Sequence, residues 1–196
     1  PNMQDNIKNG NSLIDDYSAA GDKAFKWEAQ FKDVFDNGGF DVVVGNPPYG
    51  ADLSEHDKAY LDNNIIKDKS QDTANYFIAK VLKILKQDGI MGFIVPKGIS
   101  YVPSSQLIRE EVIKNKIERL IDVSEAFGKN VQYEQLIFIL SKNINEDNTF
   151  ISGFFADGKF NEKNSPKKVL TSSRLSMWIN NENFGIINKI LKDSTK

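Results

Sequence analysis

The run Phe40-Asp41-Val42-Val43-Val44-Gly45 is short and β-branched, and it breaks directly into Asn46-Pro47-Pro48-Tyr49. A second such run, Ile90 to Val95, closes at Pro96. Between them, Phe77, Ile78, Val81, Leu82 and Leu85 recur at a helical period, which predicts a helix over Thr73 to Gln87 stopped by Asp88-Gly89. Continuous apolar strands joined through a helix are expected to be parallel neighbours covered on both faces. Ile117 to Val123 and Gln135 to Leu140 predict two further strands, and Ser104 or Ser105 can cap a helix running to about Lys116. The alternation implies an α/β fold with a doubly wound sheet.

Elsewhere the pattern is weaker. Asn6 to Leu13 predicts a short strand and turn, and Lys23 to Asp36 holds an aromatic cluster whose Phe31, Val34 and Phe35 fit a short amphipathic helix ending at Asn37-Gly38-Gly39. Ala51 to Gln71 is polar and turn-rich and predicts mostly loop, with one helical turn around Glu55 to Leu61. From Asn143 the chain turns polar and irregular, with apolar islands at Phe150 to Phe155 and Leu175 to Ile179 and a short helix near Gly185 to Lys192. A division into residues 1–142, a catalytic unit, and 143–196, a linker toward a further domain, is therefore expected.

Composition removes several function classes. With no cysteine there is neither a disulfide framework nor a thiolate zinc site, and with His56 the lone histidine no metal centre is expected. No apolar run is long enough for a membrane span and no signal-peptide layout opens the chain, so a cytoplasmic location is expected. A net charge of −2 does not mark a nucleic-acid binder, so a DNA partner would be gripped largely by other segments. Neither a Walker loop nor G-x-G-x-x-G occurs.

Asn46 to Tyr49 stands where open parallel sheets bind ligands, at the carboxyl end of a strand. Residues before proline are held extended and proline carries no N–H, so Asn46-Pro47-Pro48 is a stiff hook presenting the Asn46 side-chain oxygen and the Pro47 carbonyl. Two such acceptors can take both protons of one –NH2 group while the Tyr49 ring lies against a flat heterocycle. An amine conjugated to a ring is a poor nucleophile, and accepting both of its protons favours a tetrahedral nitrogen. One preorganised group of this kind is typically worth ~10²–10³ in rate.

FDVVVGNPPYG resembles motif IV of amino-methyltransferases that use S-adenosylmethionine, and the chain around it resembles the gamma-class N6-adenine DNA methyltransferases fused into type IIG restriction–modification enzymes. Asn9 to Leu13 is similar to the family's motif III, FKWEAQFKDVF to its lead-in to motif IV, Asp72 through KQDGIMGFIVPKGI to motifs V to VII, and Ser124-Glu125-Ala126-Phe127 with Leu136 to Leu140 to motif VIII. The resemblance implies a Rossmann-like sheet of strand order 3-2-1-4-5-7-6. It implies that Asn46 and Pro47 hold the target amine, that Tyr49 and Phe127 stack on a flipped adenine, and that Asn11, Ser12, Asn46 and Phe77 approach the cofactor. Phe127 reads equally as a core aromatic, with Tyr133 a neighbouring competitor. Asn11 stands where many relatives carry aspartate, Gly45 allows a close approach, and Asp72 suits a capping role.

The family's glycine-rich cofactor loop has no counterpart in this sequence, so the expectation is an incomplete sheet that starts at the family's third strand and lacks its first two. Phe40 to Gly45 would then carry an open apolar edge, a liability for self-association, and the chain alone would bind S-adenosylmethionine poorly and be inactive. The remainder of the protein, with its target-recognition domain, would be a partner. No glutamate is followed two positions later by lysine, so DNA cleavage is not expected from these residues. Two alternatives stay open: an amino-methyltransferase acting on protein glutamine or an RNA base, and a non-catalytic DNA-binding module.

Overall fold

A computed structural model describes residues 6–67, 69–70, 72–127, 134–144 and 149–177, with Phe127 and Ile144 described by backbone alone. Its centre is a six-stranded mixed sheet of order β1-β2-β4-β3-β5-β6. The strands are β1 (Phe40–Gly45), β2 (Leu85–Pro96), β3 (Asn115–Asp122), β4 (Gln135–Ile144), β5 (Thr149–Ala156) and β6 (Lys159–Pro166). β1 runs parallel to β2 and β3 parallel to β5, while β4 runs antiparallel to both β2 and β3. The first four strands stand in the order 4-5-7-6 that the resemblance implies. The α/β class is as read from the sequence.

Six helices accompany the sheet among the described residues: α1 (Tyr17–Ala20), α2 (Trp27–Gln30), α3 (Lys32–Asp36), α4 (Glu55–Asn64), α5 (Thr73–Ile84) and α6 (Gln106–Val112). α5 carries the crossover from β1 to β2 and packs Ala74, Ile78 and Val81 against Met91, Phe93 and Val95 of β2. Leu136, Phe138 and Leu140 of β4 and Ile108 and Val112 of α6 complete the core, each side chain worth about 1.5–3 kcal/mol when fully buried. Asp72 caps α5 by accepting from the Ala74 N–H at 3.0 Å, as its position suggested. Burial pushes the Asp72 carboxyl up from its ordinary value.

Several expectations are corrected. α5 ends at Ile84, not Gln87, because Leu85 already pairs with Phe40 in the sheet. The Asp88-Gly89 signal marks an irregularity inside β2: Asp88 has φ 61°, and a Cβ on Gly89 would stand 2.8 Å from the Phe40 carbonyl oxygen. Residues 6–13 form no strand of the sheet. Asn11 makes a single bridge to Ala24 and turns its side-chain oxygen onto the N–H groups of Leu13 and Ile14, a local competitor to any ladder. The segment Lys23 to Asp36 splits at Phe31 into α2 and α3, and its rings gather on Phe40, with Phe31 at 5.4 Å and Trp27 at 5.6 Å between centroids.

The helical turn expected around Glu55 to Leu61, in a stretch otherwise read as loop, is the ten-residue α4, capped by Ser54. Its apolar period is weak because much of its packing is polar: Lys58 and Asp62 share the buried Tyr76 hydroxyl, at 3.0 and 2.6 Å. α6 ends at Val112 because Asn115 already belongs to β3. β1 lies at the margin of the sheet, the open edge that the resemblance implied, but it is not covered on both faces as its pattern suggested, with Val42 55% and Val44 76% exposed. Beyond Asn143 the chain continues the sheet: β5 pairs with β3 and β6 with β5, with Phe150 in the core. The end of the sheet therefore does not coincide with the expected boundary after Lys142. The helix expected near Gly185 to Lys192 lies outside the described residues.

Candidate active site

β1 delivers Asn46, Pro47, Pro48 and Tyr49 at its carboxyl end, on the same edge as the carboxyl end of β2. Asn46 is exposed, Pro47 buried and Tyr49 half-buried. The Pro48 carbonyl accepts the Thr73 hydroxyl at the start of α5, which anchors the hook and withdraws that carbonyl from the solvent side. Gly45 is needed for packing, since a Cβ there would stand 3.2 Å from the Phe93 ring.

Tyr49 is fixed from the far side of β2. Gln135, the first residue of β4 and 6% exposed, donates from Nε2 to the Tyr49 hydroxyl oxygen at 2.8 Å. The Gln135 backbone N–H donates to the Ser124 hydroxyl at 3.2 Å, and that hydroxyl donates to Asp122 at 2.5 Å. Asp122 pairs in turn with Lys97 at 2.7 Å. Burial pushes the Asp122 carboxyl up, but hydrogen bonds from Lys97 and Ser124 outweigh it and hold the group below the usual carboxylate range. Burial likewise depresses Lys97, and Asp122 with Glu134 more than offsets it, leaving the ammonium raised. This ionic pair stands at the base of the Ser124–Phe127 turn, whose backbone brings Phe127 onto the same side of the sheet end. The Phe127 side chain and the whole of Tyr133 lie outside the described residues.

Beside the hook opens a cleft of about 340 Å³, lined by Ser12, Trp27, Val43, Val44, Gly45, Asn46, Pro47, Pro48, Phe77, Lys80, Val81, Ile84 and Phe93. The structure thus gathers Ser12, Asn46, Pro47 and Phe77 of the residues expected from the sequence. Asn11 is not on this lining; it sits one residue behind, holding Ser12 through its turn. The Trp27 indole N–H donates to the Ser12 carbonyl at 2.9 Å, which ties the N-terminal segment to the cleft wall. Lys80 reaches Asp15 at 3.5 Å.

Trp27, Phe93, Thr73 and Gln135 were not singled out by the sequence reading. Trp27 and Phe93 carried a usable signal, an aromatic cluster and an alternating strand. Thr73 and Gln135 carried none, because their partners stand 25 and 86 residues away. Among the described residues no group of three or more His, Cys, Asp or Glu could hold a metal ion, and no helix is long and apolar enough to cross a membrane.

The family described as Eco57I restriction-modification methylase matches residues 1–127. RM.MjaORFECS2P of Methanocaldococcus jannaschii, assigned as a type II restriction enzyme and methyltransferase, is 31% identical over 87% of this chain and 13% of its own length. The type II restriction enzyme and methyltransferase RM.Eco57I of Escherichia coli is 32% identical over 73% of this chain and 15% of its own length. This chain therefore spans a small fraction of the curated relatives it matches. The fold is shared with the type IIG restriction endonuclease BpuSI, at a TM-score of 0.52 and 14% identity over 69% of this chain and 20% of that one.

Proposed function

The chain belongs to the Eco57I restriction-modification methylase family, and from that premise we propose that it is the amine-activating part of an S-adenosylmethionine-dependent DNA adenine-N6 methyltransferase of the type IIG kind. The observation that carries the reading is the state of the hook: Asn46 exposed, Pro47 rigid and buried, and the Pro48 carbonyl occupied by Thr73. With that carbonyl occupied, the Asn46 side-chain oxygen and the Pro47 carbonyl are the acceptors that suit the two protons of one exocyclic amine.

Asn46 and Pro47 would accept hydrogen bonds from both protons, favour a tetrahedral nitrogen and balance the positive charge that grows as nitrogen takes the methyl group. The bond from methyl to sulfur would break in the same step and one amine proton would leave afterwards, so no general base is required before the nitrogen–methyl bond forms. Tyr49 stacks on one face of the extruded base and Phe127 on the other. Stacking is worth ~1–3 kcal/mol per base, comparable to the few kcal/mol that extrusion costs. The cleft fits the cofactor: Trp27 and Phe77 offer aromatic walls for its adenine, Ser12 a polar contact, and Asn46 borders both spaces. Bound there, the cofactor supplies a methyl group on a positively charged sulfur.

The cleft opens past Val44, which is 76% exposed on the outer edge of β1. Further segments are proposed to complete the cofactor pocket and to choose the DNA site, and this chain by itself is expected to hold S-adenosylmethionine weakly. Equilibrium dialysis that finds saturable micromolar binding by these residues alone would contradict the open-cleft account.

The test of function is methyl transfer from labelled S-adenosylmethionine to mixed-sequence DNA by the full-length gene product, with Asn46→Ala beside it. The expected label is N6-methyladenine, reduced by about 10²-fold or more in the variant. Label on cytosine, RNA or protein, or an unchanged rate in Asn46→Ala, would overturn the assignment.

A further inference from the structure

Gln135 occupies an unfavourable position for a side-chain amide. It is 6% exposed, its Nε2 is spent on the Tyr49 hydroxyl, and its Oε1 is buried without a hydrogen-bond partner. Exchanging the two ends of the amide does not help, since one end meets the phenol and the other still meets nothing. Buried polar atoms are almost always paired, so an orphan acceptor at this depth calls for a reason other than stability. An apolar residue of the same length would avoid the cost but would release the phenol.

The surroundings supply that reason. The Gln135 carbonyl accepts from the Val123 N–H at 2.9 Å and its own N–H meets the Ser124 hydroxyl at 3.2 Å, so its backbone is pinned on both sides to the exit from β3. Ser124 is locked to Asp122 by its hydroxyl at 2.5 Å and its N–H at 3.0 Å. Lys97 closes the arrangement through Asp122 at 2.7 Å and through its own N–H to the Glu134 carbonyl at 2.8 Å. The side chain of Gln135 then crosses the end of β2 to the phenol of Tyr49. One end of this chain of contacts is the hook's aromatic ring, and the other is the turn that carries Phe127.

We propose that Gln135 is a positioning residue for base recognition: by holding the Tyr49 hydroxyl it fixes where the tip of the ring stands, and so the swing of the ring about χ1 and its spacing from the backbone of the Ser124–Phe127 turn. The inference rests on the reading of Tyr49 as a stacking residue. It explains what the phenol contributes, since stacking alone needs only the ring. A ring free to swing about χ1 would meet the base in many orientations and lose the near-attack geometry that the hook requires.

The test is a double-mutant cycle in the full-length gene product, with Gln135→Met and Tyr49→Phe singly and together. Gln135→Leu serves as a second variant in case the first disturbs packing. Gln135→Met is expected to lower kcat for methyl transfer by about tenfold or more with KM for the cofactor unchanged, to leave Tm equal or higher, and to add nothing further in the Tyr49→Phe background. A parallel readout needs no activity: NMR scalar couplings of 13C,15N-labelled tyrosine should show one χ1 rotamer for Tyr49 in the wild-type protein and averaged χ1 rotamers in Gln135→Met. Single effects that multiply in the double variant, a wild-type kcat in Gln135→Met, or an unchanged χ1 rotamer would each overturn the proposal. If the wild-type protein transfers no methyl group to DNA, the functional reading fails instead, and the χ1 measurement alone decides whether Gln135 positions Tyr49.

Discussion

Tyr60 and Asp15, 45 residues apart, meet in a hydrogen bond that docks α4 onto the N-terminal segment. The Tyr60 hydroxyl holds the Asp15 carboxyl below its ordinary value despite partial burial, with help from Lys80. Burial and the same carboxylate push Tyr60 up to about 12. A depressed carboxyl contributes stability above its unfolded value of about 3.9, lost as pH falls through the lower folded value. A raised phenol contributes below its unfolded value of about 10, lost as pH rises toward 12. Both describe one bond, so they are counted once. Tyr60→Phe is expected to cost about 1 kcal/mol near neutral pH, no more because the Asp15 side chain is 36% exposed. Urea unfolding at pH 7 and at a series of pH values below 4 checks this: the two proteins should differ fully at the first and draw together as pH falls through the depressed Asp15 value. Asn46, Pro47 and Tyr49 were legible in the sequence because adjacent prolines dictate their own backbone. Tyr60, Thr73 and Gln135 were not, because each acts through a partner that only the folded chain brings near.

At the scale of elements, the join between the hook and α5 is one hydroxyl. Thr73→Val keeps the shape of the side chain and deletes its bond to the Pro48 carbonyl. We expect Tm to change little and methyl transfer to fall on the order of tenfold, because the helix cap at Asp72 remains while the hook loosens. A proportionate loss of both in calorimetry and rate assays would show Thr73 to be structural only. A second join is made by Arg109, 1% exposed, which donates to the carbonyls of Ile99, Val102 and Ser172 at 2.7–2.8 Å and so staples the segment after β6 to the exit from β2. Arg109→Met deletes all three bonds, although the Val102 carbonyl keeps the Ser105 N–H at 3.1 Å; the loss should cost about 3 kcal/mol and speed proteolysis near Ser172, measurable by denaturation and limited trypsin digestion. The helix α5 could be read in advance because its apolar residues are periodic, and strands β1 to β4 because each holds a short apolar run. The hairpin β5–β6 could not: six successive exposed residues of β6, from Lys159 to Asn164, carry no period at all. Only one turn of α4 was legible for a related reason, since it docks through Lys58, Asp62 and Tyr60 as much as through Leu61.

For the molecule as a whole, the two margins of the sheet differ in kind. β6 is polar and stops at Pro166, a margin that resists further pairing. β1 is largely apolar, with Val42 and Val44 exposed. These residues alone are expected to self-associate in a concentration-dependent way, and Val44→Lys to suppress it without loss of fold. Sedimentation velocity across a hundredfold dilution decides the matter, and a monomer at every concentration would remove β1 as the sticking point. The asymmetry also gives the sheet a direction of growth. A strand docking on β1 would pair along the outer edge of the strand that leads into Asn46. On the proposed reading, one contact would then both lengthen the sheet and wall in the cleft beside the hook.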